Sequence, residues 1–174
     1  ESLRRRLAAL AGVPVLNLPT DRPRPAAMSY RGATAFHTFP PELAAALEAL
    51  ARAEQATLFQ VLLAGFYALL HRLTGQEDMA VGTSIANRAH PGLEPLIGFL
   101  TNTLVLRARP RGAQPFRELL AEVRAAAEAA YEDGETPLEQ VLEALRPERT
   151  LSQNPLFQVC FSLLQAHRDA LQLS

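Results

Sequence analysis

Four histidines, His37, His71, His90 and His167, are the side chains of this 174-residue chain best suited to general base work near neutral pH, and no two are adjacent. His71 sits where a helix is expected to end, a position at which the helix dipole favours a cation, and His37 alternates with Phe36 in a strand-like run. Neither reads as a base, and His90 and His167 have no partner in sequence. There are no paired catalytic carboxylates, no nucleophile elbow, no glycine loop for phosphate and no metal-ligand spacing. Two stretches are not explained by amphipathic periodicity: Ile97 to Arg107, containing Gly98, Asn102 and Thr103, and Arg149 to Gln158, containing Asn154. Their amides can donate and accept hydrogen bonds. Asn154, before Pro155, is equally well placed to initiate a turn. Asn102 and Thr103 fit a strand entrance that needs local side-chain bonds, and Gly98 a close backbone approach. Arg88, in the turn Asn87 to Gly92, reads first as an exposed turn residue and second as a group projecting into a cleft to meet acidic groups or a ligand.

Composition narrows the class. The chain is 48% hydrophobic and 20% charged, with net charge -1, which suits one globular unit and gives no electrostatic footprint for nucleic acid. Arg4-Arg5-Arg6 reads as the polar face of a short helix. The lone Cys160 excludes an internal disulfide and fits a reducing, cytoplasmic setting; no leader is evident, and no Cys-His cluster suggests zinc. The longest apolar run, Leu58 to Leu70, is shorter than the roughly 20 residues needed to span a bilayer.

The elements that must position the polar residues follow from periodicity. Leu16 to Pro25 is a proline-punctuated connector. Ala33 to Phe39 carries strand character, and Pro40-Pro41 opens a helix running to about Arg52 through Leu43, Leu47 and Leu50. Thr57 to Gln60 forms a capping box for a second, largely buried helix that Gly75 stops. Met79 to Ser84 is a short strand, Ile97 to Leu106 leads into another ending near Arg107, and Pro115 to Tyr131 is a helix. Thr136 to Glu139 predicts a further capping box, with Pro137 at the first position of a helix ending near Leu145, and Phe157 to Leu163 predicts a last strand. The order predicts an α/β domain with a mixed sheet flanked by helices, in which the segments near Val81, Val105 and Val159 are neighbours.

Several ordered stretches resemble condensation domains of non-ribosomal peptide synthetases. Ile97 to Arg107 resembles IGxFVNTxxxR, Arg149 to Gln158 resembles RDxSxNPLFQ, Leu18 to Pro25 resembles LPTDRPRP, and Leu70 to Arg88 resembles LLxRLTGQxD…VGTPxAxR. The resemblance implies the C-terminal lobe of a V-shaped pair, each lobe similar to chloramphenicol acetyltransferase, with residues 1–30 as inter-lobe linker with a short helix and 31–174 as part of that lobe. It implies amide formation between a thioester and an amine, each tethered by phosphopantetheine to a peptidyl carrier protein, the lobe supplying a tunnel wall and a carrier-docking surface. Partners would be donor and acceptor carrier domains, the N-terminal lobe and an adenylation domain, with no cofactor bound directly, no nucleic acid and no membrane. No residue here is expected to be catalytic, because the family's HHxxxDG motif belongs to the other lobe. The chain alone is therefore expected to be inactive. Asn154, Asn102, Thr103, Gly98 and Arg88 are the tunnel-lining candidates, Asn154 lying near the channel by resemblance. Departures bear on subtype: Asp133 to Glu139 lacks the His and Phe of HQDxPFE, Thr150 stands for an Asp, and the linker has no Trp. An epimerisation lobe and a non-catalytic carrier-binding scaffold are the alternatives.

Overall fold

The computed structural model describes residues 1–88, 91–93, 95–148 and 150–164, so His90, His167 and the motif's Arg149 lie outside the described residues. Five helices are described, α1 (Ser2–Leu10), α2 (Pro41–Ala53), α3 (Leu58–Thr74), α4 (Phe116–Glu132) and α5 (Leu138–Leu145), with strands β1 (Met79–Ile85) and β2 (Asn102–Ala108). β1 and β2 pair antiparallel, from Met79 opposite Ala108 to Ile85 opposite Asn102. On the other side of β1, the Gly82 amide donates to Val159 O at 3.0 Å and the Phe161 amide to Gly82 O at 2.8 Å, in parallel sense. β1 is thus central in a mixed sheet, with the Val81, Val105 and Val159 segments adjacent. Of the expected last strand, Phe157 to Leu163, only this single bridge forms.

Alternation along the strands divides the core. Met79, Val81, Leu106 and Ala108 pack with Tyr67 and Leu70 of α3 and Leu120 and Val123 of α4. Ala80 and Val105, one residue out of phase, pack with Leu10 of α1, Val141 of α5, Leu156 and Phe157. Helices therefore cover both faces, because side chains alternate along a strand. The buried Tyr67 hydroxyl donates to Leu106 O at 2.7 Å, fixing α3 to β2.

Local signals hold where their partners are local. Thr57 Oγ1 accepts from the Gln60 amide at 3.2 Å while Gln60 Oε1 accepts from the Thr57 amide at 2.8 Å, and Gly75 ends α3 in the left-handed conformation at φ 69°. Two expectations are corrected. Ala33 to Phe39 forms no strand: it is exposed, with Phe36 at 92%, since β-branched and aromatic residues make a strand only against a partner edge, and no described segment offers one. Thr136 forms no capping box either; its hydroxyl bonds the Ser2 hydroxyl, and α5 begins without a side-chain bond from its own N-cap, Pro137.

The first thirty residues behave as two pieces. α1 packs on the α5 side of the sheet through Leu3, Leu7 and Leu10, and Leu16 is buried at 1% exposure. The Leu16 amide donates to Gln158 Oε1 at 2.7 Å, while Gln76 accepts from the Asn17 amide at 2.7 Å and donates to Val15 O at 3.0 Å. From Pro19 to Pro40 every residue is exposed, and before Pro40, whose carbonyl accepts from the Leu43 and Ala44 amides of α2, one backbone bond, Met28 N to Leu151 O at 2.9 Å, touches the body of the domain. No single helix among the described residues is long and apolar enough to cross a membrane.

Candidate functional site

Asn154 lies at the start of a sharp bend. The Phe157 amide donates to Pro155 O at 2.9 Å across Leu156, whose φ is 67°, the pattern of the rarer γ-turn. That bend sends Leu156 into the core, lays the Phe157 ring on Gly82 and aims Gln158 at Leu16. A Cβ on Gly82 would lie 2.6 Å from the Phe157 ring, so the strand accepts only glycine there without rearrangement. Among the residues of this motif, Asn154 is exposed and its side-chain amide makes no hydrogen bond to a described residue; its carbonyl accepts from Gln158 Nε2 at 3.0 Å. The expected turn cap by the Asn154 side chain is therefore absent. Asn154 lines a cavity of about 310 Å3 to which Leu10, Val13 and Leu145 contribute apolar surface and Gln153 and Glu148 polar surface.

Asn102 is fully occupied within the fold. Its Nδ2 donates to Gly134 O at 2.7 Å and Thr136 O at 2.9 Å, and its Oδ1 accepts from the Thr103 amide at 2.8 Å and the Leu138 amide at 3.4 Å. The last of these bonds satisfies an orphan donor at the start of α5, so Asn102 caps that helix from a distant strand. Arg6, itself 5% exposed, reaches Thr136 O and Thr103 O, and Arg5 Nε holds Asp133 Oδ2 at 3.1 Å. The Arg5 hydrogen bonds are the main reason the Asp133 carboxyl sits below its ordinary range. Arg107, which ends the first motif, chelates Asp78 at 2.7 and 2.6 Å and donates to Ala9 O and Ala11 O at the end of α1, and it holds the Asp78 carboxyl low in the same way.

Arg88 is half-buried rather than a freely exposed turn residue, and its guanidinium donates to the carbonyls of Leu93, Leu96 and Gly98, holding the loop before β2. Gly98 is exposed with nothing within 4 Å of where a Cβ would stand, so no close approach explains it. Thr103, with Asn102, lines a cleft of about 530 Å3 at the far end of β1, together with Ser84, Asn87, Phe99 and Glu139. This cleft and the Asn154 cavity share no lining residue. The candidate residues thus fall into two places rather than one. Sequence reasoning missed Ser84 and Tyr131, which line cavities at the end of β1; their only signal is position beside a strand end, which many solvated residues share. His71 Nδ1 is bonded to Gln76 O at 2.8 Å, and the His37 ring lies edge-on to Phe39, so neither meets a nucleophile. Among the described residues no cluster of His, Cys, Asp and Glu could hold a metal.

With this geometry established, the likeness to known proteins is specific. A family model described as Condensation domain matches residues 7–172. A linear gramicidin synthase of Brevibacillus parabrevis is 48% identical over 161 residues, covering 92% of this chain and 2% of that protein. A four-domain nonribosomal peptide synthetase bound to AMP and glycine superposes with a TM-score of 0.91 at 28% identity, over 97% of this chain and 13% of that one. The complex of the X-domain and OxyB from teicoplanin biosynthesis gives 0.85 at 28% identity, over 91% of this chain and 35% of that one. The chain spans only a small share of these relatives' length. The family model matched over residues 7–172, with a relative 48% identical across 92% of the chain, makes this chain a member of the condensation-domain family of non-ribosomal peptide synthetases.

Proposed function

We propose that this chain forms one wall of the channel in which a condensation domain joins two carrier-tethered groups, and part of the surface on which the carrier proteins dock. The amine nitrogen of an acceptor aminoacyl group attacks the carbonyl carbon of a donor thioester; the C–S bond breaks, the donor thiol leaves and the nitrogen gives up a proton. Amines attack thioesters readily once the two are held in contact, so the demand on this lobe is placement. The observation that carries the reading is Asn154 itself, whose side-chain amide has no partner among the described residues, at the rim of a cavity with an apolar wall. That alternation of amide and alkyl surface suits a phosphopantetheine arm, which brings the thioester on its carrier and is not held as a resident cofactor. The base or orienting histidine would come from an HHxxxDG-bearing lobe, and an adenylation domain would load the carriers.

A second reading, a lobe that binds a partner without chemistry, is supported by the likeness to the X-domain solved with OxyB. One experiment separates the two. The domain joined to its HHxxxDG-bearing lobe is supplied with loaded donor and acceptor carriers, beside the present chain alone and the joined domain carrying Asn154→Ala. Amide is expected from the joined domain and none from the chain alone. Because Asn154 makes no cap, its substitution is expected to shift stability by less than about 0.5 kcal/mol while slowing single-turnover condensation. An unchanged rate per folded molecule would remove Asn154 from the channel, and no amide from any joined domain would favour the binding reading.

A further inference from the structure

The far end of β1 carries a second cleft, to which the stretch resembling VGTPxAxR contributes Thr83 and Ser84. It has a volume of about 380 Å3 and is lined by Phe59, Tyr131, Leu163 and Leu164 together with Thr83, Ser84 and Ser162. Its aromatic wall is fixed from behind: the Phe59 ring lies 6.5 Å from Tyr131 and 5.6 Å from Phe161, and Phe161 lies 5.4 Å from Phe66. The neighbouring 530 Å3 cleft differs in character, offering Asn87, Thr101, Thr103, Glu135 and Glu139 among its described lining residues. Ser84 lines both clefts. Its side chain is exposed and its hydroxyl makes no bond to a described residue, yet its backbone is held in the β1–β2 ladder opposite Thr103.

We propose that the two clefts together form the acceptor subsite, selecting an α-aminoacyl group with an apolar, preferably aromatic, side chain. The side chain enters between Phe59, Tyr131 and Leu164, where two rings and two leucines make up four of the seven described lining residues and the hydroxyl-bearing Thr83, Ser84 and Ser162 the rest. The amine points into the neighbouring cleft, whose Glu135 and Glu139 complement a group that is cationic until it gives up its proton. Ser84 stands between them and accepts from or donates to the aminoacyl backbone. An acidic acceptor fits neither half: its carboxylate would be stripped of water against the rings or placed beside Glu135 and Glu139. The proposal rests on the condensation reading above and adds which acceptors it serves.

The test uses the domain joined to its HHxxxDG-bearing lobe, one fixed donor, and acceptor carriers loaded in turn with phenylalanine, leucine and aspartate. Single-turnover amide formation is expected to favour phenylalanine and leucine over aspartate by at least about tenfold, the discrimination a modest apolar pocket can provide. Tyr131→Ala is expected to reduce the preference for phenylalanine over leucine, and Ser84→Val to slow all three acceptors, each with an unchanged thermal midpoint. Amide formation with no preference, or with aspartate preferred, would overturn the subsite and leave the condensation reading standing. No amide with any acceptor would overturn both. A preference that survives Tyr131→Ala unchanged would show that the selection is made elsewhere and would also overturn the assignment.

Discussion

At the scale of single residues, the motifs that identify the family act mostly as locks. Gly82 has an ordinary backbone conformation, so what excludes a side chain there is the Phe157 ring, which itself is only 9% exposed and has nowhere to go. Leu156 accepts a positive φ, a conformation that costs a non-glycine residue of order 1–3 kcal/mol, because it gains burial in exchange. The glycine and the bend are two halves of one joint. Gly82→Ala is therefore expected to destabilise the protein by about 1–3 kcal/mol, the usual cost of overpacking a filled core. Adding Phe157→Leu, which withdraws the ring, should restore part of that loss. Denaturant unfolding of the two variants and the double variant measures the coupling, and strictly additive effects would show that the ring is not what forbids the methyl group.

At the scale of elements, legibility follows the distance between partners in the chain. The Thr57–Gln60 box, the Gly75 stop and the boundaries of α2, α3 and α4 are set by residues three or four apart, and the sequence shows them. The start of α5 departs from its local capping pattern because its donor is met by Asn102, 36 residues upstream, which no local pattern announces. Ala33 to Phe39 has the composition of a strand and lacks the edge that would make it one. The candidate site is legible as a set of motifs and illegible as a place, since Asn102 and Arg88 are consumed by backbone groups and, of the three, only Asn154 keeps its amide free. The same long-range clamps predict the acid response. Asp78 and Asp133 are held below their ordinary range chiefly by hydrogen bonds from Arg107 and Arg5. Below about pH 4, the ordinary range of an aspartate, the unfolded chain binds protons that the folded protein still refuses. Stability should be level above about pH 5 and fall as pH drops through the depressed folded values. Thermal midpoints followed from neutral pH into acid are expected to show this fall, and the Asp78→Asn, Asp133→Asn double variant to start lower and lose much of it. An acid limb of unchanged steepness in the double variant would assign the effect to other carboxylates.

At the scale of the whole molecule, the chain is divided by physics rather than by position. Residues 1–18 are bound to the domain through α1, Leu16 and the two glutamines, Gln76 and Gln158, whereas 19–40 run exposed over its surface and present Tyr30 and Phe36 to water. Exposed backbone with few hydrogen bonds is where a protease enters. Arg22 and Arg24 both precede proline and resist trypsin, which leaves Arg31, followed by Gly32, as the tryptic site in this stretch. Limited trypsin is therefore expected to cut the stretch after Arg31. The two pieces should nonetheless remain together on a native sizing column, because α1 buries Leu10 and Leu16 follows it into the core, each contributing about 1.5–3 kcal/mol on burial. They are expected to separate in denaturant, and Gln158→Ala, which removes the acceptor for the Leu16 amide, should weaken their association. An N-terminal piece that elutes alone from the nicked native protein would show that α1 is a connector rather than a part of this domain, and would move the boundary of the folded unit past residue 30.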